Sequence, residues 1–330
     1  MTAAGRLILA GVLLGHSGAD LRAAVHKLSV LTTFPAIYCF VANVAGDLAK
    51  VENFLPANVE PHDYQFSRKD LEKLSQADLI VLNGLGLETW LERALARSPT
   101  AAGLLKISAG LEADLIYSRD EPTGRRTDSA LARLQRAARP AIEQIGHRSN
   151  GRAVPNPDIW LDPQLAARAV TNILRALQRA DPANAAGYAA NARRYVARLQ
   201  QLDSDLQRTL APVGGAAMVT YHDAFAYFAR HYGLEVVGVI EPVADVEPSL
   251  KYLADLYRMA RVKPVKAIFT EPLVLSRLAG QIGRDLHIPV APLDTLETGV
   301  VQPGTYEEAM RSNGMVLLKF LSSNAASDSP

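Results

Sequence analysis

The feature that most limits what this chain can become lies near its middle. From Tyr188 to Leu210 a helical pattern runs without a glycine or proline, and Asp181 and Pro182 supply an N-cap and a first-turn residue ahead of it. A helix over 182–211 would be roughly 40 Å long at about 1.5 Å per residue, enough to cross a whole domain. On both sides of it short apolar runs alternate with amphipathic helical patterns, the mark of βαβ units and parallel pairing. The predicted class is therefore α/β: two (βα)n lobes with mostly parallel sheets, joined by one long rigid helix.

Before that helix the pattern predicts strands over 28–33, 51–55, 79–83 and 106–108, with helices over 36–48, 88–96 and 163–180. Ser67, with Asp70 three residues on, is an acidic variant of the capping box and opens a further helix through Gln76. After the helix the strands are 217–221, 235–240, 267–270 and 290–293, and the helices 224–231, 249–261, 276–285 and 305–321. The division that follows is a segment 1–25, a first lobe 26–181, the linking helix 182–211 and a second lobe 212–330.

One stretch breaks the rhythm. Residues 118–157 carry Arg119, Arg125, Arg126, Arg133, Arg136, Arg139, Arg148 and Arg152 between Gly and Pro punctuation, and read as a long surface excursion. No aromatic residue lies between Tyr117 and Trp160 to stack on bases, so the basic run is a solvated face. The formal charge of the 330-residue chain is +1, which likewise excludes a nucleic-acid partner recognised through a global field. Apolar residues at 48% and charged residues at 21% suit a chain that fills sizeable cores.

The N-terminus has one basic residue, Arg6, then the apolar run Leu7 to Leu14 and a small-residue stretch. It reads as a short secretory signal and predicts export. His16 and His26 belong to that segment or its junction. Cys39 is the single cysteine, so neither an internal disulfide nor a multi-cysteine zinc cluster can form. It follows Tyr38, far past the apolar run, and does not resemble a lipid-bearing cysteine.

In open α/β sheets ligands bind beyond the carboxyl ends of strands, which directs attention to polar residues there. His62 follows the second strand in Pro61-His62-Asp63-Tyr64, His222 directly follows Tyr221, and Asp294 ends the run Val290 to Leu293. Asp158 precedes Ile159-Trp160-Leu161-Asp162-Pro163. Two histidines and two carboxylates from two lobes can supply four ligands to one ion, and imidazole with carboxylate suits zinc, with manganese the harder competitor. Each residue alone has a plain structural reading as a cap or turn former. Glu271, at another strand end, either orients a ligand histidine or forms a structural ion pair. His231 reads as a surface or helix-end residue and His287 as an exposed turn residue.

The segments Pro61-His62-Asp63-Tyr64, Ala77 to Glu88, Ile159 to Pro163, Thr220 to Phe225, Ile268 to Pro272 and Leu293-Asp294 resemble, in order, the zinc and manganese solute-binding proteins of bacterial ABC transporters. The resemblance runs from Lys27 to Leu321. It implies two α/β lobes joined by one long helix, a metal site in the cleft between them, and delivery of the ion in the periplasm to an ABC permease. By position, His62 matches the first family ligand, His222 the third in its zinc-type form, and Asp294 the fourth.

The family usually has histidine where this chain has Asp158. Three readings stand: Asp158 coordinates directly, His147 swings in from the arginine-rich excursion, or water completes a three-ligand site. The expectation is a monomeric Zn2+-capturing receptor, with Mn2+ as the alternative ion and no catalysis. A zinc-dependent hydrolase using the open position is the rival from another class, although the chain has no His-Glu-x-x-His motif.

Overall fold

The computed structural model describes residues 27–62, 64–98, 100–117, 154–242, 247–272 and 276–322. The segment 1–25, His147 and residues 118–153 of the excursion lie outside them.

Each lobe is built on a four-stranded, wholly parallel sheet. In the first, β1 (Ser29–Thr32), β2 (Lys50–Asn53), β3 (Leu79–Leu82) and β4 (Gly103–Lys106) lie in the order β2-β1-β3-β4. In the second, β5 (Ala217–Thr220), β6 (Glu235–Val239), β7 (Val265–Thr270) and β8 (Val290–Pro292) repeat it as β6-β5-β7-β8. In both, chain order reverses between the two central strands, so both crevices open at the carboxyl ends of those strands.

Burial follows from this order. Every residue of β3 and β5 is buried, as central strands covered on both faces must be, while the edge strand β4 exposes three of its four residues. Along β5, Met218 joins one core cluster while Ala217 and Val219 join another; along β7, Ala267 and Phe269 oppose Ile268 in the same way. The period of two thus places alternate side chains on opposite faces of one sheet.

The helices are α1 (Pro35–Ala45), α2 (Arg68–Ser75), α3 (Thr89–Arg97), α4 (Pro163–Ala180), α5 (Ala185–Leu210), α6 (Ala226–Tyr232), α7 (Leu250–Val262), α8 (Arg277–Leu286) and α9 (Thr305–Ser322). The strut α5 has 26 residues, about 39 Å at about 1.5 Å each. It packs against α4 and α1 of the first lobe and α9 of the second, and one core cluster runs through all of them. Among the described residues no helix is long and apolar enough to cross a membrane.

Three local expectations shift. The strut begins at Ala185, because Asp181 caps no backbone N–H of it; the Asp181 carboxylate accepts from Asn184 Nδ2 at 2.7 Å and Tyr188 OH at 2.8 Å, beside a separate 3₁₀ turn, Pro182–Asn184. The helix predicted over 36–48 breaks at Gly46, whose φ of 53° is the left-handed region that glycine enters at little cost. The last strand of the first sheet starts at Gly103, three residues earlier than the pattern predicts, and only Leu105 of its four residues is buried. The capping box of α2 forms: Ser67 N donates to the Asp70 carboxylate at 2.7 Å.

Candidate metal centre

His62 is carried by a loop held by aromatic packing. Trp90 Nε1 donates to Pro61 O at 2.8 Å, and its ring lies among Phe54, Tyr64 and Phe66 at centroid distances of 4.9 to 6.3 Å. Asp158 sits where the chain enters the 3₁₀ turn Ile159–Leu161 ahead of α4. Its N–H donates to Asn156 Oδ1 at 2.9 Å, and Asn83 Nδ2, just past β3, donates to Pro157 O at 2.9 Å. His222 stands two residues past the end of β5, and its Nδ1 meets Glu271 Oε1, which follows β7. That contact fixes one ring nitrogen and leaves Nε2 to face the cleft.

The fourth member is Glu297. One donor atom each from His62, Asp158, His222 and Glu297 lies within 4.8 Å of every other. His62 Nε2 stands 3.1 Å from Glu297 Oε1, His222 Nε2 stands 3.8 Å from Glu297 Oε2, and the two imidazole rings are 6.2 Å apart. Asp158 and Glu297 are 2% and 1% exposed, so both carboxylates lie behind the part-exposed imidazoles.

Asp294, the carboxylate expected from the sequence, is not in this group. Its Oδ1 accepts from Leu296 N at 2.8 Å, so its carboxylate turns the backbone, and the chain presents Glu297 three residues later. Sequence reading at strand ends misses Glu297 because it stands beyond β8, after a turn at Leu296 with φ 62°. The available signal was a second carboxylate in the same loop.

The electrostatics of the group suit a cation. His62 Nε2, His222 Nε2, Asp158 Oδ1 and both Glu297 oxygens are buried and have no neighbours to satisfy them other than one another, the imidazoles and Glu297 meeting only as the ion-pair approaches given above. Orphaned buried polar atoms are costly singly, and five facing one space call for a group to bind them. Burial pushes the His62 imidazole down, but the Glu297 and Asp158 carboxylates outweigh it and lift its pKa to about 9. Burial likewise lowers His222, while Glu271, Glu297 and Asp158 lift it to about 10. Burial raises Asp158, and Glu297 raises it further; Glu297, despite burial, is held below the usual carboxylate value by the two imidazoles. Glu60, beside the group, is pushed up to about 7 by burial and by Glu271 and Glu297. A divalent cation would replace the imidazole protons and balance the two carboxylates.

His147 lies outside the described residues. His287 caps the C-terminus of α8 in a turn, as expected. His231 differs from its surface reading: its Nε2 is 2.7 Å from Asp203 Oδ1 and its Nδ1 3.4 Å from Asp162 Oδ2.

Residues 30–319 match the family described as zinc-uptake complex component A, periplasmic. The high-affinity zinc uptake system protein ZnuA of Bacillus subtilis (strain 168) is 31% identical over 271 residues, 82% of this chain and 79% of that one. The zinc-binding protein AdcA of Streptococcus pyogenes serotype M3 is 28% identical over 278 residues; these cover 82% of this chain but 51% of AdcA, so the chain spans about half that relative's length. Among solved structures, the SBP FpvC from Pseudomonas aeruginosa in complex with Mn2+ superimposes with a TM-score of 0.74 at 28% identity, over 89% of this chain and 98% of that one. The crystal structure of ZnuA gives a TM-score of 0.72 at 26% identity, over 90% of this chain and 100% of that one. Nothing in these matches supports a zinc-dependent hydrolase. The chain belongs to the zinc-uptake complex component A family, metal-binding proteins of transport systems rather than enzymes.

Proposed function

We propose that this chain captures a divalent metal ion, zinc first, through His62 Nε2, Asp158, His222 Nε2 and Glu297, and hands it to the permease of an ABC importer. Capture takes place outside the cytoplasm, in the periplasm, and the protein works as a monomer. The observation that carries the reading is the convergence of five unpartnered buried donor atoms from both lobes within one ion's reach. Two neutral imidazoles and two carboxylates form a four-ligand zinc set and cancel the charge of the ion. Affinity comes from a site that is largely preformed, since the loops bearing the ligands are already fixed by Trp90, Asn83 and Glu271. Titration calorimetry of the purified protein with Zn2+ tests this. One saturable site, lost in the His62→Ala/His222→Ala double variant, is expected; absence of saturable binding would refute the reading.

Asp158 favours a second reading of the cargo. An oxygen ligand at that position makes the set harder than three imidazoles and a carboxylate, which improves the standing of manganese. The neighbouring FpvC structures hold Mn2+ and Ni2+. Competition between Zn2+ and Mn2+ for the wild type and Asp158→His decides it: for a zinc receptor the variant tightens zinc, and for a manganese receptor it loses manganese.

A further inference from the structure

The loop bearing Glu297 starts in the second lobe and is fastened at three successive residues. Both backbone groups of Asp294 are held by α9: its N–H donates to Asn313 Oδ1 at 2.8 Å, and Asn313 Nδ2 donates to its carbonyl at 2.7 Å. The Thr295 carbonyl accepts from Trp160 Nε1 at 2.7 Å, in the 3₁₀ turn that follows Asp158. The Leu296 carbonyl accepts from Ala36 N, in α1, at 3.3 Å. Leu296 itself is fully buried and has φ 62°, a conformation a bulky residue adopts only where its surroundings impose it. Inside this turn Leu296 N–H donates to Asp294 Oδ1 at 2.8 Å.

We propose that Asp294 is a positioning residue: its carboxylate holds Leu296 in the left-handed turn, and that turn delivers the Glu297 carboxylate to the metal-binding group. The inference rests on the metal-capture reading above. Asp294 and Glu297 thereby divide two tasks three residues apart, one oxygen committed to the backbone and the other carboxylate committed to the ion. The turn before Glu297 is tied to the first lobe as well as the second, by Trp160 and Ala36. His62, Asp158 and Glu297 then form a standing three-ligand half, and His222, brought by β5 and fixed by Glu271, closes it.

The division of tasks separates two substitutions that a ligand role would merge. Asn at 294 keeps the acceptor oxygen for Leu296 N–H but removes the charge; Ala removes both. The test is a Co2+ titration of the full chain followed by visible absorption, with thermal melts, for the wild type, Asp294→Asn, Asp294→Ala and Glu297→Gln. Expected are a wild-type-like cobalt spectrum and affinity for Asp294→Asn, and an affinity about 10–100-fold lower with an altered spectrum for Asp294→Ala. Glu297→Gln should lose more than either. If Asp294→Asn weakens cobalt as much as Asp294→Ala while Glu297→Gln keeps the wild-type spectrum, Asp294 is the ligand and the proposal is overturned. A wild-type spectrum in Asp294→Ala would overturn it equally. Should Asp294→Ala fail to fold, the contrast between Asp294→Asn and Glu297→Gln still decides. A wild type that gives no saturable cobalt band would instead remove the metal-capture reading, and the proposal with it.

Discussion

Among the described residues, two groups of histidine and acidic side chains are built in opposite ways. Around His231 every polar atom has work inside the protein: Asp162 and Asp203 flank the ring, Tyr232 OH donates to Asp203 Oδ1 at 3.0 Å, and Gln164 and Gln207 donate to Asp203 Oδ2 at 3.1 and 3.3 Å. That group ties α4, α5 and α6 together and asks for nothing further. Around His62 and His222 the fixed contacts lie behind the candidate ligand atoms, and the front atoms face only one another. Residue type therefore says little about metal binding; hydrogen-bond satisfaction says much more.

The strongest way to break this contrast is to remove a front atom. His222→Ala or Glu297→Ala should weaken zinc by more than the about 10–100-fold that outer partners are worth, and a chelator competition assay reads it directly. Next comes Glu271→Ala, which leaves His222 in place but frees its Nδ1; a loss of about 10–100-fold in zinc affinity is expected, with little change in melting temperature. A loss confined to stability would make Glu271 a structural partner only.

The pH dependence of the two groups should also diverge. In the metal-free protein His62 and His222, with pKa lifted to about 9 and about 10, carry protons at neutral pH, and the metal must displace them. Zinc affinity should therefore rise with pH by about tenfold per unit for each proton displaced, and calorimetry in buffers of different ionisation heat counts those protons. The stability those charged imidazoles lend the metal-free fold is complete below their unfolded value of about 6.5 and is lost as pH rises through about 9 and 10.

The smallest effect is at the satisfied group. His231→Ala should lower folding stability by about 1 kcal/mol, within the range for hydrogen bonds to a part-exposed ring, and leave zinc affinity unchanged. Its bond to Asp162 raises the His231 pKa, opposed by burial, so the deficit should be full in acid and shrink as pH rises past that value, as urea melts at several pH values would reveal.

The contrast also explains what was legible in the sequence. The α/β rhythm, the parallel sheets and the strut followed from periodicity, because central strands such as β3 are apolar throughout and α5 has no breaker within 188–210. His222 was visible because it directly follows the strand-forming run 217–221, and His62 because it stands in the loop after the second strand, in Pro61-His62-Asp63-Tyr64. Asp158 was visible through its neighbours Ile159 to Pro163. Glu297 was hidden, since its place depends on a left-handed turn at a leucine, and no propensity announces such a turn. The partners of His231 were hidden too: Asp162 and Asp203 come from helices far apart in sequence, and only their packing brings them to one ring. Strand limits at the edge β4 shifted because its leucines do not follow its burial: Leu104 is exposed and Leu105 alone is buried.

The central claim is that the unpartnered atoms, not the histidines as such, mark the place of the ion. A zinc-loaded crystal with anomalous scattering measured at the zinc edge tests it most directly. One peak about 2.0–2.2 Å from His62 Nε2, His222 Nε2, Asp158 and Glu297 is the predicted result. A peak at His231, or one coordinated by Asp294 with Glu297 turned away, would contradict it.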